Sequence, residues 1–375
     1  MENPFRYGTV VTGKDFVDRE PELAEILKDL RGGKSIVVYS NRRMGKSSLL
    51  EELARRNKKE FIFVRVDLYG MTDKNTLLNA LVGGTVRSAY GKAEKLASGI
   101  LELVKGTTLR FVISDTGRLG VEFVGGEPKQ AEMQDVLDFP EKVASKKRKR
   151  IVVVFDEFQE GGVMDGTSLL KSMRSRFQMH KNVVYVFSGS KRHLLQEIFE
   201  EAEGAFFKFA RSIELGPLPR EDLEKFLVDR FAAATGKLEP GMAKEIVAIT
   251  KGHPYYTQQI AHELFNMKKS PSSKDDIDDA VRIAVEHQSL AFSNFWDSVK
   301  SPSQRNFLIA LAFEGKSAKG SEFVSRYHLK TRSHVQRAEG QLEARGIIDR
   351  GKIVDPLFAM WVREIGSSGK DREIE

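Results

Sequence analysis

The chain has 375 residues, of which 41% are hydrophobic and 30% charged, with a formal charge of +7 and no cysteine. That length favours two or three domains with ample buried surface, and the missing cysteines exclude disulfides, thiolate nucleophiles and Cys-ligated zinc or iron–sulfur centres. No apolar run approaches the roughly 18 residues that a membrane span needs, and the seven histidines form no paired ligand spacing. The opening "MENPFRYGTVVTGKDF" lacks the basic start and apolar stretch of a secretory signal, which points to the cytoplasm.

In chain order, "SIVVYS" (35–40) is a β-branched, aromatic apolar run after an "RGGK" turn, and "SSLLEELARR" (47–56) follows it with helical apolar spacing. This predicts strand, loop, helix. "EFIFVRVDL" (60–68), "RIVVVFDEF" (150–158) and "NVVYVFSGS" (182–190) are further short apolar runs separated by helix-length segments. Continuous rather than alternating apolar strands predict a parallel sheet covered on both faces, an α/β core. "LRFVISDTGRLGVEFVGG" (109–126) reads as an inserted β-hairpin, and "SKKRKR" (145–150) as a charge run leading into a strand. From 217 to about 298 the chain reads as successive helices punctuated by "LEPG", "KGHP" and "SPSS". Three more helical segments and the hairpin "IIDRGKIVDP" then predict a winged helix over 299–366, ahead of a polar tail at 367–375. The expected organisation is therefore a core over 1–216, a helical subdomain over 217–298, and the winged helix.

The chemistry gathers at predicted strand ends. Positions 40–47 read Ser, Asn, Arg, Arg, Met, Gly, Lys, Ser, the phosphate-loop pattern with Ser40 in place of its first glycine. Such a loop turns backbone N–H groups toward phosphates while the next helix adds a positive dipole end. The expected nucleotide-binding set is Ser40, Asn41, Arg42, Arg43, Met44, Gly45, Lys46, Ser47 and Ser48. Within it Gly45 permits close approach, Lys46 bridges the β and γ phosphates, and Ser47 holds Mg²⁺. "IVVVFDEFQE" delivers Asp156 and Glu157 to a strand end, where ligands sit in open α/β sheets. Asp156 is expected in the Mg²⁺ shell and Glu157 as the base that polarises water. Ser190, closing "VYVFSGS", is either a γ-phosphate sensor or a plain turn residue.

Taken in order, "FVDREPELAEI" (16–26), "NRRMGKSSLL", "DEFQE", "FSGS", "FARSIELGPL" (209–218), "GHPYYTQQIAHEL" (252–264) and the final "DRGKIVDPLFAMWVR" resemble the archaeal ATPase family of the STAND class, related to AAA+ proteins and archaeal origin-recognition initiators. The resemblance implies a P-loop core, a helical lid and a winged helix, with ATP/ADP and Mg²⁺ as cofactors. It also implies Arg19 and Glu20 on the adenine side, Pro254 in a lid turn packed on the base, and Arg211 as an arginine reaching phosphate within the chain or from a neighbour. Asp18 stands where the family has glycine.

Residues 300–366 carry twelve Lys and Arg against seven Asp and Glu, so five of the seven excess positive charges are here. On the third helix Val335, Ala338 and Leu342 share one face, leaving Lys330, Arg332, Ser333, Gln336 and Arg337 for nucleic acid. The leading expectation is a slowly hydrolysing ATPase switch with a winged-helix output. The alternative is a DNA-binding replication-initiator-like or mobile-element-associated protein with ATP as a structural cofactor. Duplex DNA or a protein partner both suit the winged helix, and oligomerisation is left open.

Overall fold

The computed structural model describes residues 2–90, 109–113, 119–123, 130–164, 166–234, 236–268, 270–316, 320–329 and 331–370. They form two compact units: Arg19–Arg42 with Lys46–Leu215, and Met1–Asp18 with Arg43–Gly45 and Gly216–Glu375.

The first unit is built on parallel strands. β1 (Ile36–Tyr39) is followed by the phosphate loop, the helix Lys46–Asn57 and β2 (Ile62–Asp67). The helix Lys74–Tyr90 comes next, then β3 (Leu109–Ile113) and β4 (Leu119–Phe123), which pair antiparallel as a separate hairpin. β5 (Ile151–Asp156), β6 (Val183–Gly189) and β7 (Arg211–Glu214) complete the main sheet, whose order is β2-β5-β6-β1-β7. Every pairing in it is parallel. The unbroken burial of β1, β5 and β6 goes with their almost wholly apolar sequences, with Asp156 and Ser188 near the ends of β5 and β6 as the polar exceptions: both faces are covered, so alternation would strand polar groups inside. Beneath them Phe155, Phe158, Phe187 and Phe206 are fully buried, with Phe158 and Phe187 ring centroids 4.5 Å apart.

β7 is a fifth strand that the apolar patterns do not reveal. Its four residues, "RSIE", bury only Ile213, because it is an edge strand paired on one side to β1.

The second unit holds the helices Arg220–Ala233, Pro240–Thr250, Pro254–Met267 and Lys274–Ser298. Then follow Pro302–Glu314, Ser321–Arg326 and Arg332–Ala344, the short strands β8 (Ile348–Asp349) and β9 (Lys352–Ile353), and the helix Pro356–Lys370. The longest of these, Lys274–Ser298, starts from a complete capping box in which Ser273 and Asp276 exchange side-chain-to-backbone bonds. β8 and β9 are joined by Arg350 and Gly351 alone, both with positive φ (50° and 70°), the geometry a two-residue hairpin turn demands.

Lid and winged helix do not form separate cores. One continuous set of buried side chains runs from Phe5 through Leu223, Ile260 and Phe292 to Leu357 and Val362. Phe292 packs against Phe358 at 5.5 Å and Trp296 against Trp361 at 6.2 Å, tying the last lid helix to the last helix of the chain. Phe5 sits 5.0 Å from Phe231, so the chain's beginning is pinned into this same core. The final helix also runs beyond the expected tail boundary at 367, to Lys370, with Ser367 Oγ donating back to the Arg363 carbonyl at 3.0 Å.

Candidate nucleotide-binding site

The loop after β1 meets the geometric demands of a phosphate cradle. Gly45 has φ of +90° and nothing within 4 Å of where a Cβ would stand, a conformation that L side chains rarely adopt. Ser40 is not among the residues with positive φ, so the missing first glycine costs the turn nothing; Arg43, at φ 63°, takes the left-handed position instead. Ser40 Oγ donates to the Asn41 carbonyl at 2.9 Å and accepts from Lys46 Nζ at 3.4 Å, holding the ammonium group in place. Lys46 is 7% exposed. Burial pushes its pKa down, and the carboxylates of Glu157 and Asp156 oppose that shift.

The acids come from the end of β5, the strand two places from β1 with β6 between them. Asp156 Oδ2 accepts from Ser47 Oγ at 3.2 Å and from Arg65 Nη2 at 2.7 Å. Its Oδ1 accepts from Ser188 Oγ and from the Glu157 N–H at 3.1 Å. Burial alone would raise the Asp156 pKa, but the Ser188 hydroxyl, Arg65 and Lys46 outweigh it and hold the carboxyl ionised. Glu157 takes a left-handed backbone (φ 49°), a strained choice for a non-glycine residue. Its Oε2 accepts from Ser190 N–H at 3.3 Å, Ser190 Oγ at 2.9 Å and Gln159 Nε2 at 2.5 Å. Gly189 lets Gln159 pack close: a Cβ there would meet Gln159 Oε1 at 2.0 Å and would have to displace that side chain.

Ser47, Asp156 and Ser188 thus form one oxygen cluster, and Ser190, Gln159 and Glu157 another. The set has the hard oxygen ligands that Mg²⁺ takes, with Ser47 and Asp156 the groups that would hold it. Sequence reasoning missed Arg65 and Ser188. The lone arginine inside "IFVRVD" was the available signal for the first; Ser188 is buried in an apolar strand and gave none.

Other expected residues lie elsewhere. Arg211 opens β7 opposite Ile36, at the amino end of the sheet, whereas the phosphate loop leaves the carboxyl end of β1. There it pairs with Glu25 and Asp29. In this arrangement Arg211 forms an ion pair between β7 and the helix Glu20–Arg31, at the end of the sheet opposite the phosphate loop. Arg19, 4% exposed, pairs with Glu22 at 2.7 Å, and Glu20 pairs with Arg56 at 2.7 Å. Asn41 and Ser48 are half-buried, Arg42 is exposed and Met44 buried.

In the second unit, Pro254 starts its helix after Gly252, whose φ of +74° and contact of 2.8 Å from a would-be Cβ to the Leu218 carbonyl leave room only for glycine. Arg43 lies over the Tyr255 ring at 4.4 Å and donates to Tyr256 Oη at 3.4 Å; Tyr256 in turn donates to the half-buried Asp355. On the helix Arg332–Ala344, Val335, Ala338 and Leu342 are buried as their spacing predicts, and Arg332, Ser333, Gln336 and Arg337 are exposed. Lys330 lies outside the described residues.

A parallel sheet with a phosphate loop after one strand and an acidic pair closing another, followed by a lid and a winged helix, defines a P-loop ATPase fold. The chain belongs to the archaeal ATPase family. Residues 16–260 match the model described as an ATPase domain predominantly from Archaea, and residues 290–364 match a probable winged helix domain. Among solved structures it is similar to the Walker-type ATPase PABY2304 of Pyrococcus abyssi, with 18% identity, TM-score 0.69, and 96% of this chain and 99% of that one covered. It is also similar to the ORC2 protein of Aeropyrum pernix in its ADPNP–ADP complexes, with 14% identity, TM-score 0.59, and 95% and 93% covered. No curated protein matches. Among the described residues no helix is long and apolar enough to cross a membrane.

Proposed function

We propose that this chain binds ATP with magnesium at the loop Ser40–Ser47 and hydrolyses it slowly, acting as a nucleotide-dependent switch of the STAND type whose output is the winged helix. The observation that carries this reading is the Ser47–Asp156 hydrogen bond at 3.2 Å, which joins the phosphate loop to the acidic strand end with Lys46 buried beside it. Bound magnesium would supply charge neutralisation for the phosphates. Lys46 would bind the β and γ phosphates, and Glu157, steered by Ser190 and Gln159, would orient and deprotonate the attacking water. The likeness to a structure that carries ADPNP and ADP supports a nucleotide in this fold. Because lid and winged helix share one core, they would respond to nucleotide as one piece.

The test is titration of wild type and Lys46→Ala with a fluorescent ATP analogue in Mg²⁺. Loss of at least ~100-fold in affinity with unchanged thermal unfolding supports the reading; equal affinity rejects it.

A second reading, an initiator-like DNA-binding protein in which nucleotide is structural, is favoured by the exposed Arg332, Ser333, Gln336 and Arg337. Sequence-selective duplex binding that disappears in Arg332→Ala/Arg337→Ala, together with negligible ATP turnover, would establish it over the switch.

A further inference from the structure

In a parallel sheet every strand starts at the same end, so the segments leading into the strands are gathered side by side. Here those segments are basic. Lys58 and Lys59 precede β2; Lys146, Lys147 and Arg148 precede β5; Lys181 precedes β6; Arg31 and Lys34 precede β1; and Lys208 precedes β7, and all of these side chains are exposed. Backbone and side-chain bonds weld the segments into one surface. Ile62 N–H donates to the Arg150 carbonyl at 3.0 Å, Ile151 N–H to Asn182 at 3.0 Å, Lys149 Nζ to the Lys58 carbonyl at 3.1 Å, and Arg150 Nη1 to the Leu30 carbonyl at 2.9 Å.

The nearby acids are largely spent. Glu60 is held by both arms of Arg31 (2.9 and 2.8 Å), and Glu141 accepts from the Asn182 backbone and side chain (2.9 and 2.7 Å). Toward β7 exposed acids return, at Glu200, Glu201 and Glu203 and at Glu25, the last held by Arg211, which centres the positive surface on β2, β5, β6 and β1. The carboxyl end mixes both signs: β2 closes on Asp67, β5 on Asp156 and β7 on Glu214, while β1 leads into Arg42, Arg43 and Lys46.

We propose that the amino end of this sheet is a binding surface for the phosphate backbone of duplex nucleic acid, distinct from both the nucleotide site and the winged helix. With strands ~4.8 Å apart, the five lead-ins span ~19 Å, about half a turn of B-form duplex. The surface is not flat. A cleft of about 560 Å³ opens between the lead-ins of β1, β6 and β7, lined by Lys34, Ser35, Gln178, His180, Lys208 and Phe209. Cations flanking a concavity suit a protruding phosphate ridge better than the plane of a lipid bilayer. The inference does not depend on the ATPase reading, since it concerns the opposite end of the sheet.

The experiment uses the full chain and a fluorescein-labelled 20-base-pair duplex of arbitrary sequence, followed by anisotropy from 50 to 200 mM NaCl without nucleotide. The variant Lys34→Gln/Lys59→Gln/Lys181→Gln removes three exposed charges from lead-in segments, and its thermal unfolding should match wild type. Each phosphate contact adds about 0.9 to the slope of log affinity against log salt, so the slope should fall by roughly 2 to 3 and affinity at 100 mM by at least ~10-fold. The same drop should appear when Arg332→Ala/Arg337→Ala is already present. An unchanged slope, loss of binding through Arg332→Ala/Arg337→Ala alone, or tighter association with phosphatidylserine vesicles than with duplex would each overturn the proposal. A charge-restoring variant, Lys34→Arg/Lys59→Arg/Lys181→Arg, should recover the wild-type slope, and failure to recover it would also count against it.

Discussion

Ser190 and Glu157 are joined twice, through the serine N–H at 3.3 Å and its hydroxyl at 2.9 Å. The carboxylate at the end of β5 is thereby fixed from β6, the strand between it and the phosphate loop. A base whose orientation is set by a neighbour should lose rate in two sizes. Glu157→Gln should leave ATP affinity within about twofold and lower hydrolysis by at least ~10-fold, a conservative share of what a positioned base contributes. Ser190→Ala removes one hydrogen bond of ~1 kcal/mol and should lower kcat roughly fivefold with KM little changed. Steady-state phosphate release measures both; equal turnover in Glu157→Gln would reassign the base.

Arg65 occupies the Asp156 oxygen that a bound Mg²⁺ would use under the proposed function, so the two would compete. Its guanidinium donates to the same Oδ2 that accepts from Ser47, and it also reaches Glu51 at 3.0 Å. Arg65→Met should lower the Mg²⁺ concentration for half-maximal ATP binding by roughly fivefold, the ~1 kcal/mol of a partly exposed ion pair. A higher magnesium requirement would show instead that Arg65 itself assists the phosphates.

The shared core of lid and winged helix makes a stability prediction. Phe358 is 2% exposed and meets Phe292, Phe295 and Trp361. Phe358→Ala should destabilise the second unit by ~3–5 kcal/mol, with lid and winged helix unfolding in one urea transition. Tryptophan fluorescence, reporting Trp296 and Trp361 together, would show two separate transitions if the cores were independent.

Asp276 gives a pH dependence whose sign is fixed by its partners. Lys268 and the backbone N–H groups of Ser272 and Ser273 hold its pKa down to about 2. The folded value lies below the ordinary carboxylate range, so its stabilising contribution is complete above about pH 5 and disappears as pH falls toward 2. The urea midpoint of Asp276→Asn should therefore trail wild type at pH 6 and converge on it between pH 4 and 2. A gap of constant size across that interval would remove the ionised carboxylate from the explanation.

How much of this was legible depended on which physical constraint wrote each residue. The runs at 35–40, 60–68, 150–158 and 182–190 became β1, β2, β5 and β6; β1, β5 and β6 are buried on both faces and so are nearly all apolar, while β2, at the sheet edge, leaves Arg65 and Asp67 exposed. β7 escaped because an edge strand needs only Ile213 inside, and four residues are too few for a pattern. The loop Ser40–Ser47 and the pair Asp156–Glu157 carry local signatures, being adjacent in sequence. The surroundings of Arg211 were hidden for a topological reason: which end of a strand a residue occupies, and that Glu25 and Asp29 wait there, becomes visible only when the strands are ordered. Arg65 and Ser188 needed the same ordering, as they reach Asp156 from two neighbouring strands. The basic lead-ins are the strongest case, since residues from 31 to 208 meet only because all five strands run the same way.

The hairpin of β8 and β9 sets a limit on how the winged helix could touch a partner. Two residues per strand extend ~7 Å, and only Arg350 and Gly351 form the tip. A stub of that reach can brush a single backbone position but cannot follow a groove across several base pairs. Any choosiness for one duplex over another would rest with the side chains of Arg332–Ala344, and lengthening this tip should be the simplest way to engineer a broader footprint.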